Sequence, residues 1–538
     1  MPVLSISDLK VDIHGKTVLH DIDLTLEPGR ILGVVGESGS GKSMTALSVM
    51  QLLPHGSEWS GRVKVAGTDL AGLDEPALCR MRGRDVGMIF QEPMTALNPV
   101  RTIGDQVAET VRIHTGASRR EAFSIAREML DRVGLPEDRF PLDRFPHDLS
   151  GGQRQRVVIA QAIALRPRLL IADEPTTALD VTTQAQILDL LRQLVREEDM
   201  GLMLITHDLA VVAGLADSIA IMKDGAVVEA GPTREIFRAM RHPYTRALFT
   251  ASAHVPDRGR KPESGKTPVL AVENVVRDYP QPRRNLFVKP PPFRAVDHVS
   301  FEISHGENVG LVGESGCGKS TLARSILALD GLQGGDIRLN GHVFSSAGDG
   351  PHPELRARMQ VVFQDPYGSF NPRHRVRRLV TEPFHLVKDP PRGAELERRI
   401  DRALTEVGLA SSDADKYIHE FSGGQRQRIA IARALIIEPA LIVLDEAVSA
   451  LDVSIRAQIL DLLAGLSDRL DLSYLFISHD LSVVRAITDR VLVMKDGKIV
   501  EQGETESVFR NPQHPYTQKL VAATPSLEAA LAAPADRQ

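Results

Sequence analysis

The sequence predicts two tandem α/β domains, each built on a mostly parallel sheet, and three observations carry that prediction. The first is duplication. "VVGESGSGKSMT" returns as "LVGESGCGKSTL", "IFQEP" as "VFQDP", "LSGGQRQRVVIAQA" as "FSGGQRQRIAIARA" and "LITHDL" as "FISHDL", always in the same order. Gly36 and Gly313, Gln91 and Gln364, Ser150 and Ser422, Asp173 and Asp445, and His207 and His479 keep a nearly constant separation. A duplicated domain does this and scattered motifs do not. The second observation is the apolar runs "ILGVVG", "NVGLVG", "LLIADE" and "LIVLDE", which suit strands buried on both faces. The third is that the first two end at a glycine and lead into the helical patterns "KSMTALSVMQLL" and "KSTLARSILAL", the strand–turn–helix alternation of a parallel sheet.

Each half opens with alternation. Leu24 and Leu26 stand between polar Asp23 and Thr25, and Val299, Phe301 and Ile303 between Ser300 and Glu302, as half-buried strands require. Residues 1–253 make the first domain and residues 254–268 a linker rich in Pro, Gly and charge. Residues 269–525 make the second domain, and residues 526–538 a flexible tail. "PQPRRNLFVKPPPF", residues 280–293, has no counterpart in the first half and reads as an exposed hairpin extension.

Composition narrows the function. At 538 residues the chain exceeds a single core. Its net charge of −6 gives no electrostatic reason for a nucleic-acid partner. Cys79 and Cys317 are its two cysteines, so neither a disulfide framework nor a sequence-local metal cluster is expected, and a reducing cytoplasm is the natural setting. Asp8 and Asp12 lie where a signal peptide needs a basic end and an apolar run. Apolar runs all fall short of the roughly 18 residues that cross a bilayer.

The chemistry is concentrated in a few blocks. Gly36, Glu37, Ser38, Gly39, Ser40, Gly41, Lys42 and Ser43 fit G-x-x-x-x-G-K-[ST], as do Gly313, Glu314, Ser315, Gly316, Cys317, Gly318, Lys319 and Ser320. Glycines let successive N–H groups turn inward around phosphate oxygens at a helix N-terminus. Lys42 and Lys319 would reach the β- and γ-phosphates, and Ser43 and Ser320 would hold Mg²⁺. Asp173 and Asp445 end apolar strands beside that site and would complete the metal shell. Glu174 and Glu446, one residue further, are placed to orient or deprotonate an attacking water.

With these blocks in place the chain resembles the ATP-binding cassette (ABC) ATPases over nearly its whole length, with two nucleotide-binding domains fused. The resemblance implies two P-loop NTPase domains of ABC type, each a RecA-like core with an antiparallel β subdomain and an α-helical subdomain. "LSGGQ" and "FSGGQ" match the family signature. By that resemblance Ser150, Gly151, Gly152 and Gln153 close over ATP held by Lys319, Ser320 and Thr321. Ser422, Gly423, Gly424 and Gln425 close over ATP held by Lys42 and Ser43, so the halves pair head to tail. Gln91 and Gln364 match the Q-loop, which senses Mg²⁺ and water, and His207 and His479 match the switch histidine. Asp452, in "SALD", should cross the interface. Adenine should stack on an aromatic residue. Tyr279 fills that place in the second half, whereas the first half offers only Ile13 and His14.

"RHPYTRALF" and "QHPYTQKLV" resemble the H-P-Y-T segment of ATPases serving dipeptide, oligopeptide, nickel and glutathione importers, as do "QEPMTALNP" and "QDPYGSFNP". That resemblance implies a peripheral ATPase on the cytoplasmic face of the inner membrane. Two transmembrane permeases and an extracytoplasmic solute-binding protein would be its partners. Residues 93–148 and 366–420 would carry grooves for permease coupling helices. The competing architecture is a soluble tandem-cassette ATPase acting on ribosomes, whose members usually have a long charged linker and basic surfaces; this chain has a short linker and an acidic balance.

Overall fold

The structure, a computed structural model, describes residues 1–91, 96–177, 179–259, 267–281, 290–347, 353–365, 368–449 and 451–532. In the first half, β1 (Leu4–Ile13), β2 (Lys16–Leu26), β4 (Ser57–Val65) and β5 (Thr68–Asp69) form an antiparallel sheet in the order β2-β1-β4-β5, with β3 being Ile31–Val35. β3 belongs to a six-stranded sheet with β6 (Val86–Ile89), β7 (Leu169–Asp173), β8 (Gly201–Ile205), β9 (Ser218–Lys223) and β10 (Ala226–Pro232), ordered β10-β9-β3-β8-β7-β6. Its pairings are parallel except β9 with β10.

The second half repeats both sheets. β11 (Leu270–Tyr279), β12 (Phe293–Ile303), β14 (Gly334–Leu339) and β15 (His342–Ser346) are ordered β12-β11-β14-β15, with β13 being Asn308–Val312. β13 lies in the order β16-β17-β18-β13-β19-β20 with β16 (Met359–Val362), β17 (Leu441–Asp445), β18 (Ser473–Ile477), β19 (Arg490–Lys495) and β20 (Lys498–Glu504).

Sequence patterning produces these layers directly. Every residue of β3, β7, β8, β13 and β18 is buried, because both sheet faces are covered. β2 buries Ile22, Leu24 and Leu26 and exposes Asp23 and Thr25, as the alternation requires. The signature segments start the helices Gly151–Ala162 and Gly423–Leu435, each opened by a capping box. Ser150 Oγ accepts from Gln153 N (3.4 Å) while Ser150 N donates to Gln153 Oε1 (3.0 Å). Ser422 and Gln425 repeat this, so two residues of each signature satisfy orphan groups of a helix start.

The halves interlock. Helix Pro243–Ser252 packs on Val453–Leu470 of the second half, and Pro515–Ala523 packs on Val181–Glu198 of the first. Val453 is buried in the first half's core and Val181 in the second's. Of the linker, His254 pairs with Asp461 (2.6 Å) and Arg258 with Asp489 (2.8 Å).

One expectation needs adjustment, and two others fall partly outside the described residues. The tail predicted to be flexible from residue 526 begins instead as a helix, Leu527–Ala532, packed on Leu209–Leu215 of the first half. Leu527, Ala530 and Leu531 share one face at i, i+3, i+4 spacing, and that face meets the first half's core. The hairpin extension falls mostly on residues 282–289, and part of the linker on residues 260–266, outside the described residues.

Candidate nucleotide sites

Each phosphate loop leaves a buried strand and enters a helix, β3 to Lys42–Met50 and β13 to Lys319–Ile326. Gly41 and Gly318 cap those helices at φ of 100° and 110°, the left-handed region where a Cβ is penalised. The lysines are buried inside their loops. Lys42 Nζ donates to the carbonyls of Gly36 and Glu37 (2.8 Å each), and Lys319 Nζ to those of Gly313 (2.8 Å) and Glu314 (2.9 Å). Burial lowers the Lys42 pKa, against the upward pull of Glu174, Asp452 and Asp173. Asp452 belongs to the other half.

The acidic pairs end β7 and β17. Burial pushes the Asp173 carboxyl up, opposed by a hydrogen bond from the Ser43 hydroxyl. Its buried Oδ1 has no hydrogen-bond partner among the described residues. Burial and the Glu446 charge likewise raise Asp445. Glu174 and Glu446 hold left-handed backbone (φ 48° and 50°), a strained conformation for a side-chain-bearing residue. It is fixed by N–H bonds to Ile205 O and Ile477 O, 2.9 Å each.

Around the Glu174 carboxylate stand His207 Nδ1 (3.4 Å), Thr177 Oγ1 (2.9 Å) and Gln91 Nε2 (3.1 Å). Burial favours the neutral acid, but these partners outweigh it and hold the pKa at about 2. At Glu446 the counterpart contact is His479 Nδ1, 3.3 Å away. It also overcomes burial and lowers the pKa.

Beside Lys319 lies a cavity of about 320 Å³, within the usual range for a ligand pocket. Tyr279, Phe293 and Ala295 line one end, and Ser315, Gly316, Gly318, Lys319, Ser320 and Thr321 the floor. Gln364, Glu446 and His479 also line the cavity, and Leu179 and Asp180 reach it from the first half. Tyr279 Oη donates to Asp330 Oδ2 (3.0 Å), and the Arg277 guanidinium sits 4.6 Å from the ring centroid.

In the first half, strand register puts Ile13 in the place of Tyr279: Ile13 pairs with Lys16 as Tyr279 pairs with Phe293. His14 lies past the strand end at φ 50° with its ring against Gly56, where a Cβ would come within 2.6 Å of Cε1. The first half therefore presents Ile13 and Lys16 where the second presents two aromatic rings.

The other half also reaches the first phosphate loop. Asp452 Oδ1 accepts from Ser38 N at 2.7 Å. The signature turns are not joined to the opposite loops by any hydrogen bond among the described residues. Each turn packs instead on the interdomain helix of its own half. A Cβ on Gly152 would lie 2.3 Å from Thr183, and one on Gly424 2.5 Å from Ile455, so glycine permits that approach. Phe293, Thr177, Asp180, Tyr244 and Tyr516 take part without having been singled out. Tyr244 and Tyr516 lie in the H-P-Y-T segments already noted, and Phe293 had a signal as an aromatic opening the strand opposite Tyr279.

The residues fit a hard divalent cation. Ser43, Gln91 and Asp173, with their counterparts Ser320, Gln364 and Asp445, offer hydroxyl, amide and carboxylate oxygens beside the phosphate loops. The unpartnered Asp173 Oδ1 is the kind of donor Mg²⁺ takes.

Comparison with known proteins bears on this geometry. Residues 19–177 and 296–449 match the ABC transporter family, and residues 228–274 and 500–537 the oligopeptide/dipeptide transporter C-terminal region. The glutathione import ATP-binding protein GsiA of Escherichia coli O157:H7 is 46% identical, covering 98% of this chain and 90% of its own. The protein of the same name from Salmonella paratyphi A is 45% identical, covering 97% and 89%. Among solved structures, archaeal ribosome recycling factor aABCE1 in complex with stalk protein aP1 superposes with a TM-score of 0.61. That match covers 93% of this chain and 91% of the other at 21% identity, a likeness of fold alone.

Proposed function

The chain belongs to the ABC transporter family as an import ATPase, and from that premise we propose that its halves bind two ATP molecules at composite sites and drive uptake of glutathione or a short peptide. In the first site Gly36 to Ser43 hold the phosphates, and Ser422, Gly423, Gly424 and Gln425 approach from the second half. In the second site the phosphates lie on Gly313 to Thr321, and Ser150 to Gln153 approach. The observation that supports shared sites is the Asp452 carboxylate on Ser38 N, a residue of one half bonded to the phosphate loop of the other.

Mg²⁺, held by Ser43, Asp173 and Gln91 or by Ser320, Asp445 and Gln364, would neutralise charge on the phosphate oxygens. Lys42 and Lys319 exchange loop carbonyls for phosphate oxygens. Glu174 and Glu446 accept a hydrogen bond from the attacking water. His207, Thr177 and Gln91 hold the Glu174 carboxylate ionised, placed to orient that water or take its proton. His207 and His479 hold the glutamates and lie ready to contact the γ-phosphate.

An importer ATPase works on membrane permeases, and no helix among the described residues is long and apolar enough to cross a membrane. The proposed complex has two permease subunits docked on the helical regions that include Ile103–Thr115, Arg119–Arg132 and Ala394–Glu406. An extracytoplasmic binding protein delivers the solute, and the ATPase lies on the cytoplasmic face of the inner membrane. The solute class follows from the names of the relatives and from the matched C-terminal regions in both halves.

The test is reconstitution with the neighbouring permeases and binding protein in liposomes, following labelled glutathione and a labelled dipeptide. ATP-dependent accumulation of either supports the proposal. Transport of neither, with the protein sedimenting with ribosomes and stimulated by them, would replace it with the ribosomal reading.

A further inference from the structure

The H-P-Y-T segments sit next to the phosphate loops. His242 and His514 cap their helices through Nδ1, accepting from Tyr244 N (3.2 Å) and Tyr516 N (3.1 Å). Pro243 and Pro515 take the first helical position, where a missing N–H is harmless. Thr245 donates to Glu229 Oε2 (2.5 Å), which ties its helix to β10. Histidine, proline and threonine thus build the helix start.

The tyrosines do something different. Both are buried, with Lys223 and Lys495 over their rings at 5.1 and 5.2 Å. Each phenol oxygen accepts the N–H of the second residue of its phosphate loop, Glu37 (3.1 Å) or Glu314 (2.8 Å). The next N–H in the first loop, Ser38, is held by Asp452 of the other half. Asp452 precedes Val453–Leu470, and the helix bearing Tyr244 packs on that helix. Two consecutive amides of one loop are therefore held from two halves, and the holders pack on each other. Burial raises the Tyr244 pKa to about 12 and pushes Tyr516 up as well, so both phenols are neutral.

We propose that Tyr244 and Tyr516 are positioning residues for nucleotide: each fixes the first turn of its phosphate loop so that the later N–H groups face the phosphates, and links that loop to the helix packed against the other half. This rests on the reading of the loops as ATP sites. A loop held in its binding shape before ATP arrives loses less conformational entropy on binding. Removing the hydroxyl weakens binding of the nucleotide and leaves the residues around Glu174 and Glu446 in place.

The test uses the full chain with Tyr244→Phe, Tyr516→Phe and the double substitution, which keep the rings. Affinity for a fluorescent ATP analogue with Mg²⁺, the KM and kcat for ATP, and the melting temperature are measured. Loss of one hydrogen bond is expected to raise Kd and KM about three- to tenfold in each single variant, with kcat within about twofold. Thr245→Val, which loosens the same helix without touching the loop, is expected to lower the melting temperature and leave KM alone. An unchanged KM in both Phe variants overturns the proposal. So does a fall in kcat at constant KM, the result of a merely structural role. A wild-type chain that fails to bind the analogue overturns the ATP-site reading itself.

Discussion

The two reaction centres share a plan and differ in emphasis. Glu174 has three side-chain partners, His207, Thr177 and Gln91. Near Glu446 the equivalent hydroxyl, Ser449 Oγ, turns to the backbone carbonyl of Glu446 (2.9 Å), and Gln364 lines the cavity. The base ends differ in the opposite sense, with Tyr279 and Phe293 in the second half against Ile13 and Lys16 in the first. The interdomain aspartates also diverge. Asp452 reaches Ser38 N, whereas Asp180 caps its own helix through Thr183 N (2.9 Å). Duplication kept the same chemical groups in both halves, while the glutamate of the first has more side-chain partners and the second has the aromatic rings on which the proposed base would stack.

Glutamine substitution tests that contrast most severely. Glu174→Gln is expected to lower ATP turnover by about 10²–10⁴-fold, more than Glu446→Gln does, in phosphate-release assays on the full chain. An equal or larger loss from Glu446→Gln breaks the contrast. Tyr279→Ala removes the stacking ring and should weaken ATP binding at the second site by about 1–3 kcal/mol. In a calorimetric titration one site loses affinity and the other keeps it, whereas Ile13→Ala shifts neither by more than about twofold.

Acid titration probes the switch regions. Asp480 pairs with Arg456 (3.0 Å); the corresponding position of the first half is Gln184, and Asp208 has no arginine there. Burial raises Asp208, with the Asp480 charge adding to it. At Asp480 burial is outweighed by Arg456 and the Ser482 hydroxyl, and its pKa falls. Asp480 therefore stabilises the fold above 3.8, its ordinary value, and this is lost as pH falls through its lower folded pKa. Asp208 acts in reverse, costing stability as pH rises from 3.8 through its raised pKa. Asp480→Asn should cost about 1–2 kcal/mol at pH 7, less than a fully buried pair because its side chain is partly exposed. That deficit should shrink in acid. Asp208→Asn keeps a capping oxygen and should raise the melting temperature at pH 7. Melts across pH 3–7 would show whether the two aspartates respond in opposite directions.

The smallest effect concerns Thr177. Thr177→Val removes one bond to Glu174 and should lower kcat about two- to tenfold. Ser449→Ala, which loses a bond to a carbonyl, should leave turnover within about twofold.

Much of this site could be read from the chain because its parts are contiguous or fixed by strand ends. Lys42 follows its glycines directly, Asp173 and Glu174 end one buried strand, and His207 lies just past another. The antiparallel sheet was legible as alternation at Asp23 to Leu26. Thr177 was less visible, because a threonine in a turn carries no signal until its hydroxyl points at a carboxylate. The helix Leu527–Ala532 was hidden because a short alanine-rich segment is stable only when another surface covers it.

By itself the sequence determined the duplicated architecture, the phosphate loops and the order of chemical groups along each half. These depend on spacing within a few residues, which periodicity and backbone geometry fix locally. Tertiary structure decided that Ile13, and not His14, takes the register of Tyr279, that Ser38 is the amide Asp452 meets across the interface, and that two tyrosines some 200 residues downstream hold the loops. Those outcomes depend on which surfaces meet once both cores close, and distance along the chain carries no information about that.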